Sequence, residues 1–312
     1  MDLDHWRKEE WLATKAELKV VKEERLKREQ EAILTDLERN QQRLITAACE
    51  KGASAWLSAL PLKKLGYCLN KQQFRDAICL RYGWKIQGTA VHCACGQENS
   101  IDHIMVCKKG GYVAMRHNIL RNTEAGFMEK ICKDVKIEPQ LLPMGNREVD
   151  GNMAEGARLD ISAQGVWNQQ EKTFFDIRVC HPNAASHANK SFAAIYKENE
   201  TQKKRMYNDR IINVEKASFT PLVFLTTGGM SPECEKLNKR MAEMISLKTR
   251  EVYSHVVSHI RTRIRFALLK ATLVAVRGVR GKADADSGPS EMEEISFNLI
   301  PLTPTNRTVV SM

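Results

Sequence analysis

Apolar residues recur along this chain at more than one period, and the changes of period divide it. From residue 5 to about 50 they fall irregularly at helical spacing (Trp11, Leu12, Leu18, Val21, Leu26, Ile33, Leu37, Leu44), between many Glu/Lys and Glu/Arg neighbours. That pattern predicts one long solvated helix. No heptad persists through it, so a coiled coil is not required, and self-association through this helix stays open. From Gly52 the composition becomes that of a globular protein, with short apolar clusters broken by Pro61 and Gly66. The segment QQFRDAICLRYG predicts a short helix with Phe74, Ile78 and Leu80 inward and Arg75 and Arg81 outward. After the break at Gly110 and Gly111, a helix with Met115, Ile119, Phe127 and Ile131 on its apolar side is expected, then a strand over DVKIEPQLLPMG and a polar loop over 146–156.

The period then drops to two. Arg158, Asp160 and Ser162 alternate with Leu159, Ile161 and Ala163, which predicts a half-buried strand. GVWNQQEK supplies turn residues, and Thr173 to Val179 returns as a second strand containing Asp176. A loop with Asn and Pro follows, then a charged helix from Phe192 to about Ile212. SFTPLVFLTTGG reads as a strand fit for the centre of a sheet covered on both faces. Ser231 and Pro232 open the next helix as cap and first-turn residue. The last helix, from about Thr249 to Val276, has an apolar stripe (Val256, Val257, Ile260, Ile264, Leu268, Ala271). Arg261, Arg263, Arg265 and Lys270 spread over the rest, which predicts a basic outer face for backbone phosphates. Residues 281–312 are rich in Asp, Glu, Ser, Pro and Thr, the composition of a disordered tail.

Charge narrows the partners. A chain of 312 residues suffices for about two domains with real cores, and its net charge of +10 with a pI near 9.1 favours a polyanion. Charge alone does not separate nucleic acid from an acidic membrane surface, but no apolar run approaches the ~20 residues of a membrane span. The charged N-terminus is unlike a secretory signal, and nine cysteines, an odd count, argue for reduced thiols inside a cell.

Two constellations carry chemistry. Cys93, Cys95, His103 and Cys107 form a C-x-C…H-x-x-x-C set, whose spacing suits tetrahedral zinc in a closed structural site. His92 is an alternative ligand or an outer-shell group. Asp160 and Asp176 are the second. An acid inside an apolar strand is costly to bury unless something pairs with it. The partner is either a neighbouring arginine (Arg158 for Asp160, Arg178 for Asp176) or a hard cation held by both acids. On the following helix Lys197, Glu200, Lys203, Lys204 and Tyr207 include pairs three and four apart, so several share a face.

In this order the set resembles the C-terminal region of early-branching, site-specific non-LTR retrotransposon proteins. There a CCHC zinc knuckle and an Arg-His-Asn motif precede a restriction-enzyme-like endonuclease of the PD-(D/E)xK class. Here Arg116, His117 and Asn118 match the middle motif, Asp160 in RLDI and Asp176 in FFDIR match the metal-binding acids, and Lys203 or Lys204 with Tyr207 match the helix residues. The resemblance covers about 53–280 and lacks any reverse transcriptase. It implies an α/β fold: a restriction-endonuclease-like core with a mixed sheet of about four strands flanked by helices, a small zinc knuckle and a long N-terminal helix. The implied boundaries are 1–51 for the helix, 52–110 for connector and knuckle, 111–280 for the endonuclease-like domain and 281–312 for the tail. It implies Mg²⁺-dependent DNA cleavage in the nucleus, with Asp160, Asp176, Lys203, Lys204 and Tyr207 catalytic. DNA, with RNA as a second polyanion, would be held by Arg116, His117, Arg178, Arg261, Arg263 and Arg265. Two positions depart from the family: Leu159 replaces Pro before the first acid, and Arg178 replaces lysine after the second. Arginine does not give up a proton, so activating water would pass to the helix lysine. The alternative is a binding module of the same origin that keeps fold and zinc but does not cut.

Overall fold

The computed structural model describes residues 3–143 and 156–278. Most of the expected polar loop and the whole expected tail lie outside the described residues. Two units are distinguished, Met1–Thr46 and Ala47–Met312, with the boundary five residues before the expected one.

The long helix predicted at the start is two helices, α1 (Leu3–Thr35) and α2 (Arg39–Cys49). Gln42 closes the break by donating its amide to the carbonyls of Leu34 and Leu37, both at 2.9 Å, so the end of α1 is satisfied by a side chain. Along α1, Leu18, Val20, Val21 and Leu26 are exposed, and pairs such as Arg25–Glu29 sit one turn apart.

The second unit begins with α3 (Ala55–Ser58) and α4 (Lys71–Tyr82). Asn70 and Gln73 form a capping box on α4, and Gly83 ends it in the left-handed region. Its expected inward residue Phe74 is half exposed, edge-on to Trp56, while Asp76 and Ala77 face inward. Asp76 is buried because Arg277 grips both its oxygens, at 2.6 and 2.7 Å.

Next come α5 (Ile101–Val106), α6 (Tyr112–Met128), β1 (Lys133–Ile137), β2 (Ile161–Gln164) and β3 (Lys172–Cys180). They are followed by α7 (Phe192–Asn213), β4 (Ser218–Leu225), α8 (Pro232–Thr249) and α9 (Tyr253–Arg277). The four strands form one mixed sheet in the order β1-β2-β3-β4, antiparallel except for the parallel β3–β4 pair. The fold is therefore α/β with a four-stranded mixed sheet flanked by helices.

The strand expected at the sheet centre, β4, lies at its edge instead. Its register places Pro221 opposite Asp176, and an edge strand tolerates a residue without an N–H. It is still buried on both faces from Phe219 to Leu225, because helices cover the sheet on each side. Phe175 and Ile177 face α6, α8 and α9, whereas Phe174 and Cys180 pack against α7. Period-two alternation thus sends Asp176 to the α7 side. No helix among the described residues is long and apolar enough to cross a membrane.

Candidate functional site

The Cys/His set converges. Cys93 Sγ lies 3.7 Å from Cys107 Sγ, Cys95 Sγ lies 3.2 Å from His103 Nε2, and all four ligand atoms fall within 4.8 Å of one another. A tetrahedral zinc with Zn–S bonds near 2.3 Å would place its ligands about 3.8 Å apart, so the donor set and spacing fit such an ion. Local chemistry builds the site. The Cys93–Gly96 turn closes on the Cys93 carbonyl at 2.8 Å, and Ser100 caps α5, presenting His103 and Cys107 one turn apart. Burial opposes ionisation of Cys93, yet hydrogen bonds from the Cys95 backbone and from His103, Cys95 and Cys107 prevail and bring its thiol down to about 6. His92 instead bridges to Glu98 and stands outside the group. Among the described residues no other three or more His, Cys, Asp or Glu groups come this close.

Two contacts bind this module to the rest of the fold, one to α6 and one to the end of β3. Arg116, predicted to grip phosphate, is 1% exposed and donates to the Met105 carbonyl at 2.8 Å. It ties α5 to α6 and is not a surface cation. His181, just beyond β3, bridges Asp102 at 2.8 Å and Thr226 at 2.7 Å.

The carboxylates form a second centre from distant segments. Asp160 sits one residue before β2, and its Oδ2 accepts the Ile177 N–H at 2.6 Å and lies 3.1 Å from His117 Nε2. Asp176 Oδ2 forms an ion pair with Lys203 Nζ at 2.6 Å. Neither acid takes the neighbouring arginine: Arg158 reaches Glu138 at 3.8 Å, and Arg178 donates to Gln202 at 2.8 Å. Burial raises Asp176 above the usual carboxylate range, against the pull of Lys203, and the Asp160 charge adds to the rise. The hydrogen bond to Asp160 raises His117, opposing its burial. Its neighbours explain this: Nε2 meets a carboxylate and the Ile177 carbonyl, Nδ1 meets an amide oxygen, and all three are acceptors. His117 was expected on phosphate and instead holds a carboxylate.

Two predicted catalytic residues part company. Lys203 joins the centre, while Lys204 turns away to Glu233 at 2.6 Å. Tyr207 is buried against Phe219, with Lys203 Nζ 5.6 Å from its ring centre, and burial pushes its hydroxyl up to about 12.

The predicted basic outer face of α9 is absent. Arg263 donates to the Leu65 carbonyl and Arg265 to the Lys51 carbonyl, both at 3.2 Å, and both are buried. Gly66 approaches the Arg263 guanidinium so closely that a Cβ would collide with it. Arg261 pairs with Glu235 at 3.7 Å and is mostly covered. Arg263 and Arg265 hold the segment before α4 onto α9, Arg261 ties α9 to α8, and α3, α4, α5, α6 and α8 surround α9.

Sequence reasoning also missed a groove of about 920 Å³ between α7 and α8, lined in part by Trp167, Tyr196, Lys197, Lys236 and Lys239. Trp167 looked like a turn residue. The one available signal was an aromatic in a polar hairpin loop. Comparison with protein-family models and with curated proteins gives no match.

Proposed function

We propose that this protein is a metal-dependent DNA endonuclease with a restriction-endonuclease-like core and a zinc knuckle, of the retrotransposon type it resembles, acting in the nucleus. The observation that carries the reading is the meeting of Asp160, Asp176, Lys203 and His117 at one end of the β2–β3 pair. Asp160 is anchored through Oδ2 by the Ile177 N–H and His117, whereas the buried Oδ2 of Asp176 has no hydrogen bond among the described residues and is held by the Lys203 ion pair. Two carboxylates so placed suit Mg²⁺, which takes one or two carboxylates and fills its octahedron with water and phosphate oxygens. The ion, when bound, supplies a more acidic water and neutralises charge on the phosphate. Lys203 would move from Asp176 to a non-bridging phosphate oxygen as charge develops there. His117 keeps Asp160 oriented, and Arg178, fixed by Gln202, would hold the DNA backbone as a permanent cation. Zinc at Cys93, Cys95, His103 and Cys107 would be structural, closing the module that carries Asp102 to His181.

One observation favours the second reading, a nucleic-acid-binding module that does not cut. Lys203 at 2.6 Å from Asp176 already compensates the charge a cation would balance. The experiment that separates them is thermal unfolding with and without magnesium. A ligand that binds only the folded state at ten times its Kd stabilises it by about 1.4 kcal/mol. The endonuclease reading expects such a rise in wild type and its loss in Asp160→Asn and Asp176→Asn. No rise in wild type would favour the binding module.

A further inference from the structure

We propose that the groove between α7 and α8 binds single-stranded nucleic acid, with a base stacked at Trp167 and backbone phosphates on Lys197, Lys236 and Lys239. The charges in the groove are unequally committed. Of its acids, Glu235 pairs with Lys51 and Arg261 and Glu243 with Arg240, while among the described residues Glu50 accepts only from the Tyr196 hydroxyl at 2.7 Å and Glu200 only from the Glu233 N–H at 3.3 Å. Lys197, Lys236 and Lys239 make no ion pair among the described residues, and Lys236 Nζ lies 5.1 Å from the centre of the Trp167 ring. The groove thus offers three lysines without ion pairs beside an aromatic ring.

Trp167 is anchored, its indole N–H donating to Thr220 at 3.1 Å, so the ring is a fixed platform. Base stacking on such platforms beside basic side chains is how unpaired strands are held, whereas the bases of a duplex are already stacked and cannot reach a ring inside a groove. The volume, about 920 Å³, lies at the upper end of the roughly 300–1,000 Å³ of small-ligand pockets. The lysines also stand on two helices, which suits successive phosphates better than a lone nucleotide. On α7, Lys197 and Lys204 are seven residues apart and share a face, so the groove lies on the Glu233 side of that helix while Lys203 turns to Asp176.

The test is fluorescence anisotropy of a short labelled oligothymidylate, without added magnesium, against a duplex of equal length. Lys197→Glu and Lys239→Glu should weaken single-strand binding and lower its log–log salt slope by about 0.7 per lost phosphate contact. Trp167→Ala should weaken it about tenfold. Since Trp167 also packs on the core, Trp167→Phe, which keeps a stacking ring, should restore most of the affinity. Lysine variants that bind the oligonucleotide like wild type, an equal loss on the duplex, or full competition by a mononucleotide would each overturn the proposal. The assay needs no cleavage. A wild type that does not nick but shows these losses keeps the groove and drops the nuclease, and the reverse pattern drops only the groove.

Discussion

The Cys93–Cys107 cluster, which could hold a metal, and the Asp160–Asp176 pair are assembled in opposite ways. The first takes four soft ligands from fifteen consecutive positions and orients them by one turn and one capped helix. The second takes two carboxylates, one just before β2 and one within β3, and balances them with a lysine and a histidine from two helices on opposite faces of the sheet. A closed tetrahedral set leaves nothing for substrate, whereas a half-anchored carboxylate pair leaves oxygens to share. The one suits structure and the other chemistry.

The largest expected effect falls on the closed site. Cys107→Ser should reduce bound metal from about one zinc per chain to none, read by elemental analysis. The loss of stability should be at least about 3 kcal/mol, well inside the roughly 10 kcal/mol that structural zinc gives isolated fingers. Unchanged metal content would remove zinc from the account.

A smaller effect sharpens what partners do for a buried acid. Glu124, on α6, is fully enclosed with no hydrogen bond to either oxygen, and burial raises it to about 8, whereas Asp176 has Lys203. A raised carboxyl favours the folded state fully below the ordinary value of 4.5, and that contribution is lost as pH rises through about 8. Within that window Glu124→Gln should remove a slope of about 1.4 kcal/mol per pH unit from the stability profile. An unchanged profile would mean that Glu124 is ionised and partnered in solution.

Legibility in the sequence follows the same divide. The Cys/His site could be read because its ligands are neighbours, and both acids stood out as charges inside apolar strands. Lys203 and Lys204 could not be separated: adjacent helical residues point about 100° apart, and the packing of Ile195, Tyr196, Tyr207 and Ile211 sets which one faces the sheet. His117 was visible as a residue but not as a partner of Asp160, because forty-three positions separate them. The arginines of α9 were misread for a different reason. A stripe with arginines between looks amphipathic, yet Arg263 and Arg265 point at connector carbonyls that no local pattern announces.

The central claim, that the carboxylate centre cuts DNA, is tested most directly by nicking of supercoiled plasmid with and without magnesium. Wild type should nick only with magnesium, and Asp176→Asn should abolish the reaction while DNA binding persists. Lys203→Met should lose roughly 100-fold or more, as expected for removal of a group that stabilises developing charge. Lys204→Met, which breaks only the exposed pair with Glu233, should cut at nearly the wild-type rate. Nicking by Asp176→Asn at the wild-type rate, or no magnesium-dependent nicking by wild type, would contradict the account.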